Sequence, residues 1–390
     1  MAQMAFLEKL MNSRPELAEH LNTLADLYNR KLWHQLTQEL EKVLKLPEFR
    51  KDDVLLQLYE QFITDFELKL NLLRWTHIIV ELSSLYPEAQ RDLALKLLDQ
   101  TITKLKEIKG GRVEEPLLYA RMHIALFKLQ GGDMLTCKDM IEEGKTALDN
   151  LIDVDPSVNA AVHKVASMFY KARQDFAEFY KSGMLYLAYI SVDSLDESSR
   201  LALAVDLSLA ALLGENIYNF GELLAHPVAK CLEAPSSYAW LLQLLKAFNA
   251  GDLDSYNTLC MTYADQLNAQ PALVQNERKL REKITILCLM EIIFSLPAED
   301  RIISLQTIAD KTKLSIDGVE FLLMKSLSVH LIEGVIDQVD GTVRISWVQP
   351  RVLGMDQIAE LRNRLDGWLE KVHTTRALLD SETPELIGLM

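Results

Sequence analysis

The sequence predicts a mainly α protein: a right-handed α-solenoid of tetratricopeptide-like helix pairs, then a winged helix with a small β-hairpin, then one C-terminal helix. Three observations carry this reading. Apolar residues recur at helical spacing from about residue 17 to 296, in runs separated by short joints. Gly (15) and Pro (11) are few for 390 residues, which suits long helices rather than sheets and turns. Only at 332–348, around Asp340-Gly341, does the period drop to two.

Taken in order, the first helix carries Leu17, Leu21, Leu24, Leu27 and Tyr28 on one face, and the second Leu32, Trp33, Leu36, Leu40 and Leu44. Residues 54–70 read as one amphipathic segment with Leu55, Leu58, Tyr59, Phe62 and Phe66 on its stripe. The pattern repeats at 72–85, 91–108 and 115–129, with joints at Pro47, Tyr86-Pro87, Gly110-Gly111 and Gly131-Gly132-Asp133. The most repeat-like part is 155–190, where Ala166, Phe169, Tyr170, Phe176, Phe179, Tyr180, Leu185 and Tyr189 follow a small-and-aromatic pattern. At helical spacing such a stripe is inter-helix packing rather than a ligand cradle. Residues 201–213 are nearly all Leu and Ala and predict a buried helix. A turn at 219–221 enters a short helix closed by His226-Pro227, and 238–248 is amphipathic. Asn249-Ala250-Gly251-Asp252 then repeats the joint at Gly132-Asp133, and helices follow at 253–268 and from 276.

The stretch 284–296 is too apolar for a surface helix, and 297–300 (Pro-Ala-Glu-Asp) breaks it. Ser304 caps a short helix carrying Leu305, Ile308 and Ala309. Ser315 caps the next, which buries Val319, Leu322, Leu323 and Leu327. A two-residue turn at Asp340-Gly341 joins strands at 332–339 and 342–348. It sets Ile336 opposite Ile345, Gln338 opposite Val343 and Asp337 opposite Arg344. The face with Ile336, Val343, Ile345 and Trp347 is therefore expected inside. Three helices followed by a hairpin make a winged helix-turn-helix. The last helix, 356–379, spaces Ile358, Leu361, Leu365, Trp368 and Val372 by three, four, three and four. That is a heptad seam, and these five residues are the predicted interface with helices of other chains.

Charge narrows the function. The chain carries −15, and the winged unit 283–350 holds six basic against nine acidic side chains. Its second helix offers only Lys325 beyond the cap. A duplex reader takes most of its affinity from several Lys/Arg–phosphate contacts, so nucleic acid is not the expected partner. No apolar run reaches a membrane span, and the first ten residues carry Glu8 and no cationic stretch, so neither membrane nor secretion is expected. The four cysteines are far apart in sequence and read as reduced core residues, not metal ligands. Gly144-Lys145-Thr146 imitates a phosphate loop, but Asp139 stands where the motif needs its first Gly, and Glu142 and Glu143 repel phosphate. Gly-x-Ser-x-Gly, Gly-x-Gly-x-x-Gly and His-Glu-x-x-His motifs are missing. Carboxylate pairs such as Asp52-Asp53 and Glu114-Glu115 fall at joints, and His34, His77, His123 and His163 lie within helices. No catalytic residue, cofactor or metal is predicted.

Six stretches carry a resemblance: 27–37 (LYNRKLWHQLT), 213–228 (LGENIYNFGELLAHPV), 248–252 (FNAGD), 287–294 (LCLMEIIF), 329–340 and 347–353 (WVQPRVL). With a helical arm, a winged helix and a seam helix in that order, the chain resembles the PCI-domain family over about 24–368. That family supplies scaffold subunits of the proteasome lid, the signalosome and eukaryotic translation initiation factor 3. The resemblance implies a non-catalytic lid subunit in ubiquitin-dependent protein degradation, in cytoplasm and nucleus. It implies as partners other PCI-domain lid subunits, met through the winged helix and a C-terminal helical bundle. An MPN-domain lid subunit and a von Willebrand A-type ubiquitin receptor are implied as well. The alternative, a signalosome or translation-factor subunit with an RNA-linked role, would be favoured by a basic stripe, which this sequence lacks. The implied division is a repeat arm at 1–170, a PCI domain at 171–350 (helical part 171–280, winged helix 281–350) and a bundle helix with tail at 351–390.

Overall fold

The computed structural model describes residues 2–14, 17–46, 49, 54–87, 90–108, 112–233, 238–296 and 301–382. The joints expected at Pro47, Gly110-Gly111 and 297–300, and the Asp52-Asp53 pair, lie outside the described residues. The chain forms two compact units, Met1–Ser194 and Leu195–Met390.

The first unit is helical throughout its described length: α1 (Ala2–Ser13), α2 (Ala18–Asn29), α3 (Trp33–Lys45), α4 (Val54–Gln61), α5 (Leu72–Ser84), α6 (Arg91–Glu107), α7 (Glu114–Gln130), α8 (Met134–Asn150), α9 (Pro156–Arg173) and α10 (Phe176–Tyr189). One core gathers the stripes of α1 to α6 around Trp75, Phe49, Phe62 and Phe66, and a second joins α7, α8 and α9 around Met122, Ile141, Val162 and Phe169. α1, for which no helix was expected, buries Leu7 and Leu10 in the first core. The single helix expected at 54–70 stops at Gln61 and continues as 3-10 turns at Ile63–Asp65 and Glu67–Lys69. Phe62, Ile63, Phe66 and Leu70 are all buried there. The Thr64 hydroxyl donates to Tyr59 O (2.8 Å) and holds the break.

Three joints share one construction: a left-handed residue closes a helix and an Asp opens the next. Gly132-Asp133, Gln174-Asp175 and Gly251-Asp252 all follow it. In each, the Asp backbone N–H reaches back five residues, to Lys128, Tyr170 and Ala247 carbonyls at 3.0, 3.0 and 3.1 Å. Its carboxylate accepts from Thr136 N, Glu178 N, or Asp254 N with Ser255 N. This is a Schellman end fused to an N-cap, satisfying orphan groups of both helices at once.

The second unit starts with α11 (Glu197–Leu213), α12 (Gly221–Ala225), a 3-10 turn at Pro227–Leu232 and α13 (Ala239–Ala250). The helix expected at 253–268 is two, α14 (Leu253–Thr262) and α15 (Ala264–Asn268), parted at Tyr263; α16 (Pro271–Gln275) and α17 (Glu277–Phe294) follow. The winged helix comprises β1 (Ile302–Ser304), α18 (Leu305–Thr312), α19 (Ile316–Ser328), β2 (Ile332–Asp337) and β3 (Thr342–Val348). Ser304 and Ser315 cap as expected, accepting from Thr307 N (3.1 Å) and Gly318 N (3.2 Å). β1 corrects the expectation of no strand before the hairpin. It pairs antiparallel with β3, giving the order β1-β3-β2, and three residues are too few to show a period.

The hairpin register is also corrected. Ile336 pairs with Val343 and Asp337 with Thr342, so residues 338–341 connect the strands rather than 340–341 alone. The Asp337 carboxylate accepts from Val339 N and Asp340 N, both at 3.1 Å, and this local capture widens the turn. A shift of two pairing positions keeps Val343 and Ile345 inside. Further along, Glu333 pairs with Trp347 but Gly334 with Ile345, leaving Ser346 as a bulge. The bulge inverts the alternation, so Val348 turns into the core and Trp347 turns out, 39% exposed. Gly334 is required at this point, because a Cβ there would lie 2.3 Å from Arg344 O. Trp347→Ala is therefore expected to cost under about 1 kcal/mol rather than the ~3–5 of a core aromatic. A melting temperature lowered by about 10 °C would contradict this placement.

The last element, α20 (Met355–Glu382), starts one residue earlier and ends three later than expected.

Candidate interaction surfaces

Four of the stretches that carry the resemblance meet at one junction in the second unit. Arg351, half-buried, extends its guanidinium from the segment after β3 to Glu291 of α17 (Nη1–Oε2 3.3 Å) and to Asn249 at the end of α13 (Oδ1 3.4 Å, and its carbonyl). Burial lowers its pKa from the ordinary value, and the Glu291 carboxylate opposes that shift. Val352 N donates to Asn219 Oδ1 at 3.4 Å. A Cβ on Gly221 would lie 2.9 Å from Val352 Cβ, so α12 also sits directly against this segment. Gly251 has φ +64, and its added Cβ would lie 2.8 Å from Leu287 O of α17, which demands glycine twice over. The strap 349–354 is thus held to the helical part of its unit just before α20 departs.

α11 is tied in the same way. Lys283 of α17 is buried and donates to the carbonyls of Ala211, Leu212 and Gly214 at 2.6, 3.2 and 2.9 Å. Its ammonium also stands 5.1 Å from the Phe220 ring centroid and 5.8 Å from that of Tyr218. Burial pushes the Lys283 pKa down to about 7.

The five predicted interface residues all lie on α20, and all are exposed: Ile358 46%, Leu361 48%, Leu365 54%, Trp368 66% and Val372 46%. Every described side chain from residue 357 to 382 is exposed. Leu369, Leu378 and Leu379 extend the apolar surface beyond the five that were expected. Isolated helices are marginal in water, and this one has no buried face of its own. The outer face of α19 shows Phe321 and Met324 with Asp317 and Glu320, and Lys325 is engaged by Glu282. On the sheet, Ile302, Val335 and Trp347 face outward.

The residues weighed for chemistry have structural surroundings. Gly144-Lys145-Thr146 sits in the middle of α8, where Gly144 packs on Met122 and Lys145 lies over the Tyr170 ring at 5.2 Å. A cleft of about 600 Å³ between α7 and α8 is lined by Leu117, Met140, Arg121 and Glu143 among others, and Arg121 pairs with Glu143 at 3.8 Å. Among the described residues, no three His, Cys, Asp or Glu side chains are grouped to hold a metal ion. No described helix is long and apolar enough to cross a membrane.

His77, Tyr119 and His123 pack in series as tilted rings, with centroids 4.3 and 4.8 Å apart, and Ser157 Oγ lies 3.2 Å from His77 Nε2. Burial drives His123 down to about 3, with Lys164 and His77 adding to the effect. The folded value lies below the ordinary 6.5, so on acidification the unfolded chain binds the proton first. Stability from this group is complete above pH 6.5 and falls as pH drops toward 3. We expect His123→Leu to move the acid-unfolding midpoint to lower pH, followed by circular dichroism. An unchanged or higher midpoint would contradict a neutral, enclosed imidazole.

Two family models match the chain. Residues 20–245 match the family of PSD13 N-terminal repeats, and residues 258–347 match the PCI domain. Over 388 residues the chain is 57% identical to the 26S proteasome non-ATPase regulatory subunit 13 homolog B of Arabidopsis thaliana, covering all of both chains. It is 35% identical to the 26S proteasome non-ATPase regulatory subunit 13 of Dictyostelium discoideum, over 98% of each. With the 26S proteasome regulatory subunit RPN9 of Saccharomyces cerevisiae it shares 33%, over 93% of this chain and 92% of that one. On this near end-to-end identity, the chain belongs to the family of 26S proteasome non-ATPase regulatory subunit 13, a repeat arm joined to a PCI domain.

Proposed function

We propose that this chain is a non-catalytic scaffold subunit of the 26S proteasome regulatory particle, in its lid, acting in ubiquitin-dependent protein degradation. The observation that carries the reading is α20, a 28-residue helix with a heptad of apolar side chains and no buried face, leaving a fold whose own core is complete. Such a helix is stable when other helices cover its seam. The relatives' names supply the assembly. The winged helix, with outward-facing apolar residues on sheet and α19, meets other PCI-domain subunits, and α20 joins their C-terminal helices in a bundle. An MPN-domain subunit and a von Willebrand A-type ubiquitin receptor are neighbours in the same proposal, and the site of action is cytoplasm and nucleus. We keep the functional division at 1–170, 171–350 and 351–390, with Ile358, Leu361, Leu365, Trp368 and Val372 as the assembly seam.

The test is mass spectrometry of proteins that co-purify with the tagged chain from cells. Proteasome regulatory subunits in stoichiometric amounts are expected. Recovery of ribosomal or translation-initiation proteins in their place would overturn the proposal.

A further inference from the structure

The charges beside the α20 seam are sorted. With Ile358, Leu365, Val372 and Leu379 at one core position of the heptad and Leu361, Trp368 and Thr375 at the other, the two flanking positions hold Arg362, Leu369, Arg376 and Gln357, Arg364, Lys371, Leu378. All four charged flanking residues are basic. The acidic residues of the same stretch, Glu360, Asp366 and Glu370, fall on the far side of the helix. Arg364 meets Glu360 at 2.6 Å and Arg362 meets Asp366 at 3.8 Å, both one turn away along the surface. These pairs are solvent-exposed, hence weak and able to exchange for a partner across a seam.

From this sorting we infer the chemistry of what covers α20: amphipathic helices of other protein chains that flank their own apolar seams with Asp and Glu. The inference rests on the assembly role proposed above and names the partner class. A second copy of this chain is excluded as the occupant. Flanking positions face flanking positions in both parallel and antiparallel pairs, so two copies would set cation against cation. Leu369 and Leu378 widen the apolar surface on opposite sides of the seam in its C-terminal half. A single partner covers only the two core positions, so more than one acidic-flanked helix packs here. From Ile358 to Leu379 the contact surface runs about 32 Å.

The experiment compares full-length variants for incorporation into the regulatory particle in cells. Replacing Arg362, Arg364, Lys371 and Arg376 by Gln removes the flanking charge and leaves the seam apolar. Leu361→Asp with Leu365→Asp spoils the seam and leaves the flanks. Both are expected to melt like wild type, since α20 buries nothing in its own unit. The four-Gln chain should enter the particle roughly tenfold less than wild type, and a four-Glu chain less still. A four-Gln chain at wild-type level, with the seam variant absent, overturns the acidic-partner inference and leaves the assembly role standing. Both variants at wild-type level overturn that role as well.

Discussion

Lys283→Met is expected to destabilise the second unit by about 3–5 kcal/mol, because it leaves three buried carbonyls without their donor. The last carbonyls of a helix have no partner within it. In α11, Ala210 O accepts from Gly214 N, whereas Ala211 O and Leu212 O point at the Lys283 ammonium. Methionine matches the length and apolar stem of lysine but donates nothing, and three buried carbonyls are left without it. Each unsatisfied group costs roughly 1–3 kcal/mol. Relief from burying the lysine charge offsets part of that sum, which is why the smaller total is expected. For a unit of this size the melting temperature should fall by roughly 10 °C. A variant that melts within about 1 °C of wild type would show that water or another donor takes over the role.

Ending the chain before Met355 should have the opposite signature: no change in the fold and loss of assembly. None of the described side chains from 357 to 382 is buried, so the upstream cores lose no contact that keeps them folded. In a bundle, each of Ile358, Leu361, Leu365, Trp368 and Val372 would contribute about 1.5–3 kcal/mol before ordering entropy is charged. Removing all five together exceeds what a single remaining interface could restore. The truncated protein is expected to stay helical, to melt cooperatively at the wild-type temperature, and to be missing from the regulatory particle. A lower melting temperature would mean that α20 supports its own unit.

Much of the architecture is legible because its signals are local. The helix stripes, the serine caps at Ser304 and Ser315, the Gly-Asp joints and the heptad from Ile358 to Val372 all fall within a few residues of what they specify. The joint at Gln174-Asp175 is built like the two glycine joints but hides its left-handed residue behind a glutamine. Trp347 departs from its expected place for a reason of the same kind. Strict alternation assigns it to the core with Val343 and Ile345, and the bulge at Ser346 that reverses it is marked only by Gly334 on the opposite strand.

The junction around Arg351 was not legible at all. Its partners Asn219, Asn249 and Glu291 lie 133, 102 and 60 residues away from the residues they hold. No periodicity connects such positions. The stretches that contain them are four of the six that carry the family resemblance, and they meet in space. A glycine pressed on a helix backbone and a guanidinium shared between two helices tolerate few substitutions. The Lys283 cradle is likewise a long-range arrangement, and in sequence Lys283 is only the last of several charged residues before the apolar run at 284–296.

The central claim, a scaffold held in the proteasome by α20, is tested most directly by purifying regulatory particles through a different subunit from cells that express both forms. The quantity measured is the ratio of full-length to Met355-truncated chain in the particle relative to the lysate. We predict full-length chain in stoichiometric amount and truncated chain at background. Equal recovery of the two forms, or neither form in the particle, would contradict the account.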